Sequence, residues 1–418
     1  MTHLLVLSLT FPPDNVSTAH LMGELASDMV AQGHSVTVLT TMPHYNRDRV
    51  AEQGQPIRSF WGPFLKKSQL NGAVVYHAPT LSRSTGMISR IMGWMIFHLI
   101  SLTVGLLITR RVDVILAPSP PLTIGLVAWL LGLYHRAPFI YNVQELYPDI
   151  AIGLGVIKNR ALIYLLYRVE NFVYSTAGLI SVISEPMREV VLSKGVPPHK
   201  VIHIPNWVDT TDLDVPLKNN EFSRTHGVQD VFVVAYAGNM GLAQNFDELL
   251  DAAGILRDQN KIRFMLIGDG VQARNLRRRV TEEELDNVII VPFQDHHLVP
   301  LIYASSDLSY VPLHSSAITH ALPSKIYRIM ASGSAIMAVA SYASPIRELV
   351  QKAQCGILVE PQSGRCLADA IENAASNPEV IADLGRSGKE YVIKHYSRKV
   401  IVEKYILEIV GSANRKGG

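Results

Sequence analysis

The feature that most constrains the fold is an alternation of short apolar strands with helices, which runs along the chain and then restarts. The predicted strands are residues 4–9, 35–40, 112–117, 139–143 and 178–182 in the first half, and 231–236, 263–267, 288–291, 308–311, 335–340 and 356–359 in the second. Each strand is rich in Val, Ile and Leu, and helical segments separate them. This order is typical of parallel sheets joined by right-handed crossovers.

Two such series predict an α/β protein with two doubly wound, Rossmann-like domains that face each other across a cleft. Residues 204–219 contain Pro, Asp and Asn without strand or helix periodicity, so the interdomain linker is placed there. We predict an N-terminal domain at 1–205 and a C-terminal domain at 206–390. Residues 391–418 are predicted to form a helix that packs back on the N-terminal domain.

Two loops in the second half have the composition of phosphate-binding loops. Residues 235–241 read AYAGNMG, so an apolar strand leads into two glycines that allow backbone N–H groups to approach a phosphate. In the second loop, Pro323 opens a helix and places Ser324 and Lys325 at its positive end. Either loop alone also fits an ordinary turn or helix start. Together they predict a diphosphate site.

Cysteine usage and short motifs narrow the class of protein. Cys355 and Cys366 are the only cysteines of the 418 residues, and no signal peptide precedes the first strand, which predicts a reducing cytoplasm. Asp212 and Asp214 form an Asp-x-Asp pair, but they lie in the predicted linker and are interpreted as a turn. No other metal-ligand spacing is present, so no metal or cofactor is expected. The net charge of +2 gives no reason to expect a nucleic-acid partner.

A basic and aromatic region extends over about residues 60–111. Between residues 51 and 111 the only acid is Glu52, against the seven basic residues Arg58, Lys66, Lys67, Arg83, Arg90, Arg110 and Arg111, which are interleaved with Phe60, Trp61, Phe64 and Trp94. Such interleaving is typical of a surface that lies against anionic lipid. The region is therefore predicted to associate with a membrane.

One apolar run lies within this region, and a second one follows it. Residues 91–108 are nearly all apolar, with His98 as the only ionisable residue, and are about long enough to span a bilayer. A span would place strands of one predicted sheet on opposite sides of the membrane. We therefore predict a helix that is partly core and partly dipped into one leaflet, and a wholly buried helix remains the alternative. Residues 122–133 are predicted to form a buried helix.

Seven stretches carry a family resemblance in their order and spacing. They lie at residues 23–41, 117–128 (APSPPLTIGLVA), 144–149 (QELYPD), 204–209 (IPNWVD), 235–244 (AYAGNMGLAQ), 267–270 (IGDG) and 322–333 (LPSKIYRIMASG). With them the chain resembles family 4 glycosyltransferases of the GT-B fold. The resemblance is closest to the bacterial branch that builds O-antigen, capsule and colanic-acid-type polysaccharides on lipid-linked intermediates.

The resemblance implies that the C-terminal domain binds a nucleotide-diphosphate sugar. The donor-binding residues that it implies are Gly238, Asn239, Gly241, Gln244, Gly268, Arg274, Phe293, His320, Ser324, Lys325, Arg328 and Glu348. Two departures stand out. Gln244 occupies a place where many relatives have Arg or Lys, and His320 and Arg328 replace the two carboxylates of the Glu-x7-Glu signature. Lys325 is then the cation that offsets the charge of the leaving diphosphate.

The resemblance also implies transfer with retention at the anomeric carbon, without an enzymic nucleophile or a metal. It assigns the acceptor, a saccharide on polyprenyl diphosphate, to the N-terminal domain, through Ser17, Thr18, Gln144 and Glu145. Glu145 is the leading partner for the acceptor hydroxyl, and a helix-capping or ion-paired carboxylate is the alternative. His44 and Tyr45 are predicted to line the acceptor path. The enzyme is expected on the cytoplasmic face of the membrane.

Three other functions compete with transfer. A nucleotide-sugar epimerase of the same fold would have no use for the basic, aromatic region. A NAD-dependent dehydrogenase needs Gly-x-Gly-x-x-Gly after its first strand, and residues 11–19 contain no glycine. A degenerate transferase acting as a membrane-bound scaffold is favoured by the non-acidic residues at 320 and 328. Titration with a panel of nucleotides separates these classes, since a scaffold need not bind any of them.

Overall fold

The computed structural model describes the chain except residues 45–48, 80–86, 110, 154, 212–216, 242–243, 296–297, 313–321, 341–343, 362 and 416–418. The described residues divide into two compact units. The first unit consists of Met1–Asn206 and Ile401–Gly418, and the second of Trp207–Val400. His320, Tyr45, Asp212 and Asp214 lie outside the described residues.

The first unit contains a nine-stranded sheet in the order β3-β4-β5-β2-β1-β6-β7-β8-β9. Its strands are β1 (His3–Leu7), β2 (Ser35–Thr41), β3 (Arg58–Trp61), β4 (Leu65–Leu70), β5 (Ala73–Ala78), β6 (Val114–Ser119), β7 (Phe139–Val143), β8 (Leu179–Val182) and β9 (Val201–His203). The five predicted strands are present. The parallel neighbours β2 and β6 flank β1, so the strand order reverses beside β1.

One edge of this sheet differs from the prediction. Strand β4 pairs antiparallel with both β3 and β5, where an entirely parallel sheet was predicted. The four strands β3, β4, β5 and β9 were missed. Strands β3 and β4 carry charged and aromatic side chains instead of an apolar run, because edge strands lack cover on one side and tolerate such residues. The basic, aromatic region thus begins in an antiparallel ribbon.

Among the described residues, seven α-helices precede the second unit. They are α1 (Ser17–Ala31), α2 (Arg49–Gly54), α3 (Met87–Leu107), α4 (Ile124–His135), α5 (Asp149–Gly153), α6 (Arg160–Thr176) and α7 (Glu185–Ser193). The long apolar run forms α3, with Phe97 and Val104 buried and Met95 and Leu99 exposed. Within the described part of the chain, no helix has the length and hydropathy that crossing a bilayer requires.

The prediction of a buried helix at residues 122–133 is wrong for one face of α4. Ile124, Ala128 and Leu131 pack into the core, whereas Leu133 and Tyr134 are about 60% exposed. Helix α4 packs against β6, β7, α3 and α6, and the described residues leave Leu133 and Tyr134 at its C-terminal end exposed. Periodicity could not show this, since α4 is apolar all round.

The second unit is a six-stranded sheet, entirely parallel, in the order β12-β11-β10-β13-β14-β15. Its strands are β10 (Phe232–Ala237), β11 (Ile262–Ile267), β12 (Val288–Val291), β13 (Leu308–Pro312), β14 (Ala335–Val339) and β15 (Gly356–Val359). All six match predicted strands. They are nearly continuous apolar runs because both faces of a parallel sheet are covered by helices.

The helices of this unit connect the strands and cover the sheet. They are α8 (Glu221–Thr225), α9 (Asp247–Ile255), α10 (Ala273–Glu282), α11 (Val299–Ala304), α12 (Lys325–Ala331), α13 (Pro345–Ala353), α14 (Gly364–Ser376) and α15 (Pro378–Tyr396), and the final helix of the chain is α16 (Arg398–Asn414). Strand β10 lies between β11 and β13, so the order reverses there. Ligands of doubly wound sheets bind at the carboxyl ends of the strands beside such a reversal.

Candidate functional site

The loop after β10 crosses the loop after β11 in direct backbone contact. Gly268 has φ +141°, and a Cβ there would lie 2.0 Å from the carbonyl oxygen of Gly238. The N–H of Gly238 donates to the carbonyl of Ile267 at 2.9 Å, and that of Met240 donates to Asp269 at 2.8 Å. Only glycine permits this approach at 268. Gly238 and Gly268, which were both predicted as donor-binding residues, therefore fix the path of the β10 loop.

Glutamine side chains hold the far end of this loop. The amide oxygen of Gln244 accepts a hydrogen bond from the N–H of Gly241 at 2.9 Å. Gln272 donates its amide N–H groups to the carbonyls of Gln244, at 2.8 Å, and of Gly241. The structure thus places Gln244 against the loop backbone. Gln272 was missed, although its position two residues after the IGDG stretch could have indicated it.

Lys325 lies over the ring of Tyr236 at the point where the strand order reverses. Its Nζ is 3.7 Å from the ring centroid, and a Cβ built on Gly238 would be 3.8 Å from the same nitrogen. The Tyr236 hydroxyl donates to the carbonyl of Asn239 at 2.6 Å. Tyr236 therefore joins the lysine to the glycine loop. The sequence predicts Tyr236 only as a strand residue, and nothing in its spacing indicates a contact with Lys325.

Burial lowers the pKa of Lys325 to about 7. Desolvation disfavours the ammonium form, and the ring of Tyr236 offsets this cost only in part. An anion bound beside Nζ would favour the charged form again. The lysine is thus half-protonated near neutral pH and gains its proton when an anionic ligand arrives.

This pKa predicts that the affinity for a nucleotide-diphosphate sugar falls as the pH rises above about 7. Below that pH the free protein already carries the ammonium, whereas above it binding must take up one proton, so affinity falls up to about tenfold per pH unit. Calorimetry at pH 8 in buffers of different ionisation enthalpy measures this uptake. Lys325→Met should abolish it. Equal uptake by that variant would assign the proton to another group.

The other predicted donor residues follow carboxyl ends of neighbouring strands. Ser324 is the N-cap residue of α12, so the helix begins two residues after Pro323, and Arg328 lies half-buried one turn further along. Phe293 follows β12 and is 44% exposed. These positions lie at one edge of the sheet, because its six strands are parallel. Gly238 lies close to both Gly268 and Lys325, and none of the contacts described for these three residues involves Phe293.

Two charged donor residues of the prediction lie on the surface. Arg274 is exposed in the first turn of α10, which follows the β11 loop. Glu348 is exposed in the first turn of α13, and its carboxylate accepts from Lys352 at 2.5 Å. The known contact of Glu348 is therefore a surface ion pair. Its role beside a donor stays a prediction.

Acceptor residues were predicted at two places in the first unit. Ser17 and Thr18 begin α1, just after the loop that follows β1. In that loop Asp14 is buried and accepts from the backbone N–H of His44 at 2.7 Å. The ring of His44 lies 3.1 Å from the hydroxyl of Thr41. The structure thus ties His44 to the ends of β1 and β2, next to the start of α1.

Gln144 belongs to a chain of side-chain hydrogen bonds. It exchanges amide hydrogen bonds with Asn206, at 2.9 and 3.1 Å, and donates to Asn142 at 2.8 Å. Asn142 donates to Ser181 at 2.9 Å, whose hydroxyl lies 3.0 Å from that of Tyr405 in α16. The network joins β7, β8 and α16. Gln144 therefore anchors the start of the segment that contains Glu145.

The other end of that segment is anchored by a buried ion-pair cluster. Lys194 donates to the carboxylates of Asp149 and Glu170, each at 2.6 Å, and the hydroxyl of Tyr167 donates to Asp149 at 2.7 Å. Burial raises the pKa of Glu170, and Lys194 opposes that rise. Glu145 is half-buried between the two anchors. The segment is thus held at both ends, which preorganises it.

Within the described residues, no group of three or more His, Cys, Asp or Glu side chains is arranged to hold a metal ion.

Comparison with known proteins identifies the two halves. Residues 18–207 match the family model described as glycosyl transferase 4-like domain, and residues 218–391 match glycosyl transferases group 1. WcaI of Escherichia coli K12, named as a colanic acid biosynthesis glycosyl transferase, is 24% identical over 98% of this chain and 100% of its own length. WbjE of Pseudomonas aeruginosa, named as a glycosyltransferase, is 24% identical over 71% of this chain and 74% of its own.

Solved structures agree on the fold. Anabaena HepE in complex with UDP superimposes with a TM-score of 0.70 at 15% identity, over 99% of this chain and 100% of HepE. At that identity the likeness shows the fold alone, and the family is shown by the two models, which together cover most of the chain. The chain therefore belongs to the family 4 glycosyltransferases of the GT-B fold.

Proposed function

We propose that the protein transfers a sugar, with retention, from a nucleotide-diphosphate sugar to a saccharide carried on polyprenyl diphosphate, in cell-surface polysaccharide biosynthesis. The observation that carries the donor half is the half-buried Lys325, whose Nζ lies beside the glycine loop of Gly238. HepE, which shares the fold, has been solved with UDP and with UDP-glucose. WcaI and its named role in colanic acid biosynthesis support the pathway class.

In the proposed mechanism the second unit binds the donor and no metal takes part. The glycines of the β10 loop let its backbone lie close to the diphosphate, and Lys325 offsets the negative charge that grows on the leaving phosphate. A leaving oxygen that takes the acceptor's proton makes an enzymic nucleophile unnecessary. Arg274, Ser324, Arg328 and Glu348 are proposed as further donor contacts. Phe293 is proposed to border the base.

The acceptor half rests on the anchored segment between Gln144 and Asp149. We propose Glu145 as the partner of the acceptor hydroxyl, since a carboxylate held at the end of a central strand is positioned before substrate arrives. Ser17 and Thr18 are proposed to meet the acceptor diphosphate at the start of α1, whose N-terminal N–H groups favour anions. The basic, aromatic region is proposed to bring this acceptor side to the cytoplasmic leaflet.

The transfer proposal is tested by incubating the protein with polyprenyl-diphosphate-linked saccharides and a panel of UDP-, GDP- and dTDP-sugars. The expected result is release of one nucleoside diphosphate per glycosylated lipid, with the anomeric configuration of the donor kept. Product with inverted configuration would refute retention. Nucleotide binding without turnover on any acceptor would favour a scaffold.

Glu145→Gln is expected to lower transfer about 100-fold while leaving donor affinity unchanged, because the charged acceptor that orients the substrate hydroxyl is lost and the donor is held by the other unit. Glu189→Gln is the matched control, an exposed carboxylate of α7 in the same unit. Turnover and calorimetric donor affinity are measured for both variants. A parallel fall of donor affinity and transfer would show that Glu145 is not an acceptor residue.

A further inference from the structure

Three helices of the first unit lie side by side and leave an apolar outer face. Helix α3 packs against α4, and Trp129 of α4 meets Phe172 of α6 edge to face, with ring centroids 4.9 Å apart. The exposed apolar side chains of this three-helix face include Met95, Leu99, Leu107, Leu133, Leu162 and Leu165. Contiguous apolar surface of this kind marks an interaction site.

Helix α6 carries apolar side chains on its outer side as well as on its inner side. Its inner side contains the buried carboxylate of Glu170 beside Val173 and Tyr174. On its outer side Leu162, Tyr164 and Leu165 are 42 to 67% exposed. A surface helix of a water-soluble domain normally directs its apolar stripe inward. Helix α6 has such an inward stripe, and the exposed Leu162, Tyr164 and Leu165 are apolar surface in addition to it.

The charged side chains around the three-helix face indicate what it contacts. Helices α3, α4 and α6 contain a single carboxylate, Glu170, which is buried and bonded to Lys194. Exposed cations flank the face on α6 and at the helix ends: Arg111, Arg136, Lys158, Arg160 and Arg168. A face with apolar centre, basic margin and no exposed acid on its helices complements an anionic lipid surface.

We propose that the three-helix face of α3, α4 and α6 lies in the headgroup region of an anionic bilayer, with the leucines of α6 inserted. This inference rests on the proposed function and deepens its membrane part, because it extends the contact from residues 60–111 to α4 and α6. A second copy of the chain is a poorer occupant. Symmetric pairing would bring Arg160 and Arg168 of the two copies together without an opposing carboxylate on the paired helices.

The first test is flotation of the full-length protein with vesicles of phosphatidylglycerol and phosphatidylethanolamine. Leu162→Gln with Leu165→Gln should lower the partition coefficient at least about tenfold, since two side chains would lose their apolar burial. Val380→Gln with Leu407→Gln is the control, because these residues are similarly exposed on α15 and α16. Phosphatidylcholine vesicles should bind the parent protein about tenfold less.

The second test reports insertion directly and needs no substitution in α6. Trp61→Phe with Trp94→Phe leaves Trp129 on the face and Trp207, which is buried in the other unit. Brominated phosphatidylglycerol vesicles should then quench roughly half of the remaining tryptophan fluorescence. Melting temperatures of all variants serve as the check on folding.

The inference is overturned if the α6 variant floats like the parent, or if Trp129 is not quenched. It is also overturned if the parent binds phosphatidylcholine equally well or binds no vesicles at all, in which case a protein is the occupant of the face. None of these readouts uses sugar transfer. Failure of the transferase proposal is detected separately, by nucleoside diphosphate release on soluble acceptor analogues.

Discussion

Lys325→Met is expected to lower kcat/KM by two to three orders of magnitude, which corresponds to about 2–4 kcal/mol of lost transition-state stabilisation. Methionine keeps most of the apolar stem of the side chain and removes the ammonium group that lies over the ring of Tyr236. The cation acts on the charge that develops on the leaving diphosphate, so the loss should fall mainly on kcat. Steady-state kinetics with the preferred donor measures it.

The same variant should not be less stable than the parent. The pKa of Lys325 is about 7 in the folded protein and near 10.5 when exposed, so between these values the unfolded chain binds the extra proton. The lysine thus disfavours folding most at low pH, and its contribution improves as the pH rises from 7 to 10. Methionine removes this dependence. The control is Lys261→Met, at an exposed position of the same unit. A near-normal kcat of the Lys325→Met variant would show that Lys325 does not belong to the site.

Gly268→Ala is expected to lower the free energy of unfolding of the second unit by roughly 3 kcal/mol or more and to abolish donor binding. The new Cβ would lie 2.0 Å from the backbone oxygen of Gly238, at a φ of +141°. Both loops must then separate, which combines overpacking with backbone strain. Denaturant unfolding and calorimetric donor titration measure the two effects.

Gly227→Ala separates the backbone effect from the clash. Gly227 also has a positive φ, +65°, but a Cβ there meets nothing within 4 Å. This control should cost about 1 kcal/mol and leave donor binding unchanged. Equal destabilisation by the two substitutions would show that the loops do not cross as closely as described.

Local pattern predicted most of the fold. Each core strand of the second unit is an apolar run, so β10 to β15 could be read directly from the sequence. The antiparallel strands β3 and β4 could not, because their alternation of Arg58, Lys66 and Lys67 with aromatic residues is also typical of a membrane-facing segment. Strands near a sheet edge are fixed mainly by pairing with a neighbouring strand and little by their own composition. Here β4 pairs with β5, and β3 pairs with β4.

Some features of the candidate site could also be predicted from the sequence, and others could not. Its glycines and Lys325 were predictable, because loops at the carboxyl ends of parallel strands follow from strand order alone. The contacts that complete it join residues far apart in the chain. Tyr236 meets Lys325 across 89 positions of sequence, and Gln144 meets Asn206, 62 positions away.

The sequence by itself determined the fold class, the family and the strand ends at which ligands are expected, because these depend on hydrophobic periodicity and on short glycine and helix-start signals. Only the tertiary structure decided that Lys325 is desolvated, that the segment containing Glu145 is anchored at both ends, and that Leu162 and Leu165 of α6 are exposed. Burial and solvent exposure depend on which surfaces pack together, and no local pattern specifies that.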